Sequence, residues 1–300
     1  MGISLGRAIA AFLLACACAA AAATAGSTAS SAGTLEAERQ EALKAVHASR
    51  QAGPADITLR DQAHLALPKG YLWVPTPAAA QWMRSMGNRP DDSFLGVIFP
   101  AGGGGWFAVV KFVKEGYIQD DDAKDWNADE LLESLKDGTE ASNEERVKRG
   151  IPAVEVTGWA QKPQYDAGSH RLVWSALAKH KGEGNNDRQG VNYNTYALGR
   201  EGYVSLNLIT NARDLETYKP DASALLSALK YDDGKRYADF NASTDKVAAY
   251  GLAALVAGVA VKKLGLLAIV LAFVAKFAKL AIVAGGAVVW GIARFFRKKP

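Results

Sequence analysis

The sequence predicts an α+β fold, a mainly antiparallel sheet with a few helices, followed by a C-terminal hydrophobic transmembrane helix or helix pair. Three observations carry this prediction. Between residues 54 and 240, short apolar runs of strand period follow one another through short turns, which favours antiparallel pairing over alternating βαβ units. Within the same stretch, helix-period segments carry start and stop signals. From Val247 onward the chain turns almost wholly apolar.

The N-terminus has the layout of a secretory signal peptide over residues 1–25. Arg7 supplies the positive start, Ala8 to Ala23 is an unbroken small and apolar run, and Ala23-Thr24-Ala25 offers a small-x-small cleavage pattern before Gly26. Leu13-Leu14-Ala15-Cys16 resembles a lipobox, so lipidation at Cys16 is a second route, and an uncleaved membrane helix a third. Residues 26–53 read as a linker and a short helix. Gly26 to Gly33 is rich in Ser, Thr, Ala and Gly, and Leu35 to Arg50 mixes a sparse apolar stripe with charge before Gly53-Pro54 stops it.

A soluble domain follows over 54–240. Ile57 to Leu59, Leu65 to Leu67 and Tyr71 to Val74 read as strands, with a turn at Pro68-Lys69-Gly70. Pro77 to Met86 reads as a short helix closed by Gly87. Phe94 to Phe99 and Trp106 to Val113 flank a glycine-rich turn and predict a hairpin. Asn127, with Glu130 three residues on, predicts the start of a long helix that stops at Gly150. Val154 to Trp159, Arg171 to Leu177, Val191 to Leu198 and Gly202 to Ile209 read as further strands, and Lys181 to Gln189 as a polar loop. Asp221 is read as the cap of a last short helix with Ala224, Leu225, Ala228 and Leu229 inward.

Residues 247–293 are read as the membrane-anchoring region and 294–300 as a basic tail. Val247 to Val261 is 15 residues without charge, Lys262-Lys263 interrupts, and Leu264 to Ala293 is 30 residues broken only by Lys276 and Lys279. A spanning helix needs about 20 apolar residues, so only the second run is long enough alone. Lys276 and Lys279 share one helix face and face a partner or water if they lie in the bilayer. The basic C-terminus predicts a cytoplasmic end, which with an exported domain requires an odd number of crossings. One crossing by 264–293 satisfies this, and a two-helix arrangement stays open beside it.

Charge divides along the same lines. All 31 acidic residues and 26 of the 35 basic ones lie between Glu36 and Lys246, a balance of −5. Arg7 precedes that stretch, and eight basic residues follow it with no acidic one among them. The overall +4 therefore belongs to membrane-flanking charge rather than to a nucleic-acid surface. The only cysteines are Cys16 and Cys18, so the body has no disulfide framework, no cysteine zinc site and no thiol nucleophile.

No catalytic, cofactor-binding or metal-binding set is legible. Asp120-Asp121-Asp122 with Asp125 is contiguous and lacks the spaced, glycine-containing pattern of a calcium loop; it reads as a solvated turn complementing a helix N-terminus. Gly102 to Gly105 precedes a strand and lacks the Gly-Lys-Ser/Thr ending of a phosphate loop. His47, His64, His170 and His180 stand at no metal-ligand spacing. His170 beside Asp166 and Ser169 is the one pairing that invites a hydrolase reading. Trp73, Trp82, Trp106, Trp126, Trp159 and Trp174 fit a core better than a stacking groove.

The run Gly116-Tyr117-Ile118-Gln119-Asp120-Asp121-Asp122-Ala123-Lys124-Asp125, continuing Asp129 to Lys136, resembles the DUF2167 family of bacterial, predicted membrane-anchored proteins of unknown function. Arg149-Gly150-Ile151-Pro152, Gly158-Trp159-Ala160, Pro163-Gln164-Tyr165-Asp166 and His170 to Trp174 extend the resemblance, which covers roughly Ala52 to the C-terminus. It implies an exported domain ahead of a hydrophobic C-terminal region and supplies no activity. The expected protein is a binding or scaffolding module at the bacterial inner membrane, its domain on the periplasmic side. Its expected partners are membrane lipids, with envelope proteins or self-association through the C-terminal helices. An envelope hydrolase and a subunit of a small membrane assembly are the alternatives.

Overall fold

The structure, a computed structural model, describes residues 28–148, 150–184 and 189–257, with side chains from Glu36 onward. The stretch read as a signal peptide, Cys16, the apolar run 264–293 with Lys276 and Lys279, and the basic tail lie outside the described residues. Among those described, no helix is long and apolar enough to cross a membrane.

The fold is α+β around one antiparallel sheet. Helix α1 (Thr28–Ser49) leads into β1 (Gln51–Ala52), β2 (Ala55–Leu59), β3 (Ala63–Leu67) and β4 (Tyr71–Pro75). Then come α2 (Ala78–Ser85), β5 (Phe94–Pro100), β6 (Phe107–Val113), α3 (Ala128–Lys148), β7 (Val154–Asp166) and β8 (Arg171–His180). The chain closes with β9 (Gly190–Leu198), β10 (Tyr203–Asn211), α4 (Leu215–Ala228), β11 (Leu229–Tyr231) and α5 (Ala253–Ala257). Eight strands pair in the order β1-β4-β5-β6-β10-β9-β8-β7, and β11-β3-β2 form a second, small sheet. Every strand pair is antiparallel.

Side chains alternate across a strand, so each strand of the large sheet feeds two layers. On one face, Trp73, Ile98, Val110, Phe112, Leu206 and Leu208 pack against the small sheet and the Leu225–Leu226 stripe of α4. Leu208 and Leu225 are each 1% exposed; burying one such side chain contributes about 1.5–3 kcal/mol. The opposite face is covered from its two ends. At the β4–β6 end, Val74, Val97, Phe99 and Val109 meet Trp82 of α2 and Ala42 and Val46 of α1. At the β8–β9 end, Leu172, Trp174, Ala176 and Tyr196 meet Ile118, Leu131 of α3, and Leu252, Leu255 and Val256.

Three expectations change. α1 begins at Thr28 and takes in most of the stretch read as a flexible linker; a run of Ala, Ser and Thr carries little helix penalty outside Gly33. α4 begins at Leu215, so Asp221 is an interior residue, not a cap. Tyr71 Oη donates to its Oδ1 at 2.7 Å, and Pro220 lies inside the helix. Its inward residues are Leu215, Ala222, Leu225 and Leu226, whereas Ala224 is exposed. Finally, the described part of the first apolar run, Val247 to Ala257, packs on the domain, with Leu252 fully buried. An apolar run has no preference between lipid and a sheet face that lacks a cover.

The β9–β10 turn depends on a close approach. A Cβ at Gly202 would stand 1.9 Å from the Val113 carbonyl oxygen of β6. Gly202→Ala is therefore expected to push β10 from β6 and to cost on the order of 3 kcal/mol. Thermal unfolding followed by circular dichroism checks this, and an unchanged melting temperature contradicts it.

Candidate functional site

Between the two apolar clusters on the second face lies a gap over the central strands. In the β6–β10–β9 ladder Lys111 pairs with Ser205, Ser205 with Tyr196, and Asn207 with Asn194. Period-two alternation carries these side chains to the face on which Val109 and Tyr203 also stand. They floor an open groove of about 570 Å³, within the size range of small-ligand sites, about 300–1,000 Å³.

The floor is polar and largely shielded. Asn194 is 7% exposed and Ser205 8%, yet neither belongs to a polar core network. Asn194 spends its amide donor on the Asn192 carbonyl at 3.0 Å. Asn207 Oδ1 is buried and accepts no hydrogen bond among the described residues. Leaving such a group unpaired costs about 1–3 kcal/mol, a cost also borne at Gln62 Oε1 and Ser175 Oγ away from the groove.

Charge around the rim is balanced and mostly paired. Arg60, Lys111 and Lys114 stand against Asp91, Asp92 and Glu115. Lys111 lies 3.9 Å from Asp91, Lys114 lies 2.8 Å from Glu201, and Arg60 donates to the Asp92 carbonyl. Tyr196, Tyr203 and Tyr250 complete the lining. Burial pushes the Tyr203 phenol up to about 12 and moves Tyr196 and Tyr250 in the same direction, so all three stay neutral at physiological pH.

Tyr250 belongs to a strap, residues 240–257, that closes one side of the groove. Arg200 holds Asp245 with two bonds, Nε to Oδ2 at 2.6 Å and Nη2 to Oδ1 at 2.8 Å. Tyr117 exchanges backbone bonds with Lys246 and Ala248, each 2.8 Å. Asp122 accepts from the Leu252 and Ala253 amides at 3.1 and 3.0 Å. Gly251 passes close enough that a Cβ there would meet Asp122 Oδ2 at 2.4 Å.

The aspartate run thus serves a helix N-terminus, but the distant one of α5. Its members part company: Asp122 holds the strap, Asp120 accepts from Tyr165 Oη at 2.5 Å, and Asp121 stands exposed near Lys124. Among the described residues no group of three or more His, Cys, Asp or Glu is placed to hold a metal. Gly102 to Gly105 form the β5–β6 turn, where Gly105 N–H donates to Tyr218 Oη at 3.2 Å and its carbonyl accepts from Thr210 Oγ1 at 2.9 Å.

Asp166 and His170 go to different partners. Asp166 closes its own turn, accepting from Ser169 Oγ at 2.6 Å and Gly168 N–H at 2.9 Å. His170, at a left-handed φ of 53°, stacks on Tyr237 at 4.2 Å and places Nδ1 3.2 Å from Tyr165 Oη. Trp73, Trp82, Trp106 and Trp174 are core residues, each at most 8% exposed, and none lines the groove. The groove residues Asn194, Ser205 and Asn207 were visible in the sequence only as polar alternants in two strands. Solvent exposure explains such alternants equally well until the strand neighbours are known.

Residues 51–286 match the family described as "Protein of unknown function (DUF2167)", and the chain belongs to that family. No curated protein matches it. Among solved structures, cyanobacterial PsbP (CyanoP) from Synechocystis sp. PCC 6803 is similar at a TM-score of 0.36 and 12% identity, covering 61% of this chain and 91% of that one. A mutant form of the protein Mog1 is similar at a TM-score of 0.35 and 10% identity, covering 59% and 94% respectively.

The strap clamp has a pH signature. The Arg200 guanidinium, followed by the Asn241 N–H, holds the Asp245 carboxyl well below the usual carboxylate range. A depressed folded value stabilises fully above the unfolded value of about 3.9 and is lost as pH falls below it. Asp245→Asn is expected to lower the melting temperature at pH 7, with the gap to wild type narrowing below about pH 4. A gap that stays constant from neutral to acid pH contradicts the clamp.

Proposed function

We propose that this member of the DUF2167 family is a membrane-anchored envelope binding module whose ligand sits in the groove over β6, β10 and β9. The observation that carries the reading is the groove floor. Asn194, Ser205 and Asn207 are shielded polar groups in an open cleft, and Asn207 Oδ1 has no partner within the described protein. Stability alone selects apolar side chains at such positions, as it does on the rest of that face.

In this reading the chain is exported by residues 1–25, and the domain stands on the periplasmic side of the bacterial inner membrane. The anchor is the apolar segment after Ala257. Packing of Val247 to Ala257 on the domain supports the one-crossing arrangement, because it leaves Leu264 to Ala293 as the run long enough to span. One crossing also agrees with an exported domain and a basic cytoplasmic end. Membrane lipids are then the tail's partners, and Lys276 and Lys279 on one helix face supply a seam for self-association.

Two experiments test this. The full chain is expected to resist carbonate extraction from membranes, and a chain ending at Ala257 to appear in the periplasmic fraction; a truncated chain still held in the membrane refutes the assignment of the anchor. For the groove, Asn207→Leu is expected to leave stability unchanged or raise it by about 0.5–2 kcal/mol while abolishing the cellular phenotype of the gene. A marked loss of stability makes Asn207 a structural residue and removes the main support for the site.

A further inference from the structure

We infer that the groove's ligand is an uncharged carbohydrate, an inference that rests on the groove being the binding site. The first argument is charge. The lining holds three cationic and three anionic side chains, Arg60, Lys111 and Lys114 against Asp91, Asp92 and Glu115. Lys111 and Lys114 already have acidic neighbours, and Arg60 is held on a carbonyl. With three charges of each sign in the lining, a charged ligand of either sign meets like charge as well as opposite charge.

The second argument is the hydrogen-bonding character of the floor. Asn207 brings two amide donors beside its buried carbonyl oxygen, Ser205 a hydroxyl that is both donor and acceptor, and Asn194 a carbonyl and a second amide hydrogen beyond the one given to Asn192. Sugar hydroxyls are likewise donors and acceptors at once, so each can satisfy either kind of group. The neutral phenols of Tyr203 and Tyr250 hydrogen-bond each other on the wall, and the Tyr250 ring adds an apolar surface for the C–H face of a pyranose. A lipid or other apolar ligand covers the polar floor residues Ser205 and Asn207 without offering them a partner.

The third argument excludes the obvious macromolecular rival. An extended peptide binds a sheet by adding to an open edge. This groove lies over the middle of the sheet, where β10 is paired on both sides, with β6 and with β9. Its backbone groups are spent in the ladder, and only side chains are left to recognise a ligand.

The test is isothermal titration of the full chain in a zwitterionic, sugar-free detergent, because a glycoside detergent competes for the site. The probes are chitotetraose, cellotetraose and maltotetraose as uncharged sugars. The cationic chitosan tetramer, tetragalacturonate and tetra-alanine are the charged and peptide comparisons. At least one uncharged tetrasaccharide is expected to bind, with the charged sugars at least about tenfold weaker. The double substitution Asn194→Ala and Asn207→Ala is expected to weaken binding by about tenfold or more. Ser205→Ala, which removes one oxygen, is expected to weaken it in the same direction and stands in should the double variant melt early. Failure of every uncharged sugar to bind overturns the inference. Tighter binding of a charged sugar or the peptide also overturns it, while loss of that binding in the double variant keeps the groove as the site. An uncharged sugar that binds the double variant as well as wild type removes both the inference and the groove.

Discussion

The register of β10 between β6 and β9 is the constraint on which the second face of the sheet depends. It sets Ser205 opposite Lys111 and Tyr196, and Asn207 opposite Asn194 and Val109. A slip of one residue would carry Val204, Leu206 and Leu208 to the groove and bury Ser205 and Asn207 against α4. The cost of burying those polar groups, set against the gain from Leu206 and Leu208, holds the register in place. The same alternation that builds the core under α4 therefore lays the polar strip on the other side.

The two covers of that face meet it from opposite ends and leave the strip open. α1 and α2 reach as far as Val109, while the strap, α3 and the 117–126 segment reach as far as Tyr203 and Tyr196. The strap is the less obvious cover. Its apolar side chains Leu252, Leu255 and Val256 supply burial, and a few polar bonds from Arg200, Tyr117 and Asp122 decide where it lies. Burial is non-directional, so without the carboxylates of Asp245 and Asp122 the same residues would have no preferred placement. Tyr250 on the strap brings the groove into contact with the segment that leads towards the tail.

Much of the architecture was legible in the residues. Val154 to Trp159, Val191 to Leu198 and, from Tyr203, the run read as Gly202 to Ile209 alternate or run apolar and are strands. Asn127 caps α3 as its spacing with Glu130 implied, accepting from the Asp129 amide at 2.9 Å. α4 was placed too late because Asp221 reads locally as a cap, whereas in the fold the stripe of Leu215, Ala222, Leu225 and Leu226 starts the helix at Leu215 and carries it through Pro220. His170 and Asp166 looked like partners because they are near in sequence. A turn residue bonds its own loop first, as Asp166 does, and the His170 ring stacks on Tyr237 instead.

By itself the sequence determined the α+β class, the antiparallel pairing, the family and the partition of charge between body and tail. Those depend on period, turn chemistry and composition, which are local or additive. Only the tertiary structure decided which polar alternants were shielded, that Asp122 serves a helix 130 residues away, and that Val247 to Ala257 belong to the domain. The reason is physical: an apolar side chain asks only to leave water, and a polar one only to find a partner. Which surface or partner answers is set by chain segments far apart in sequence.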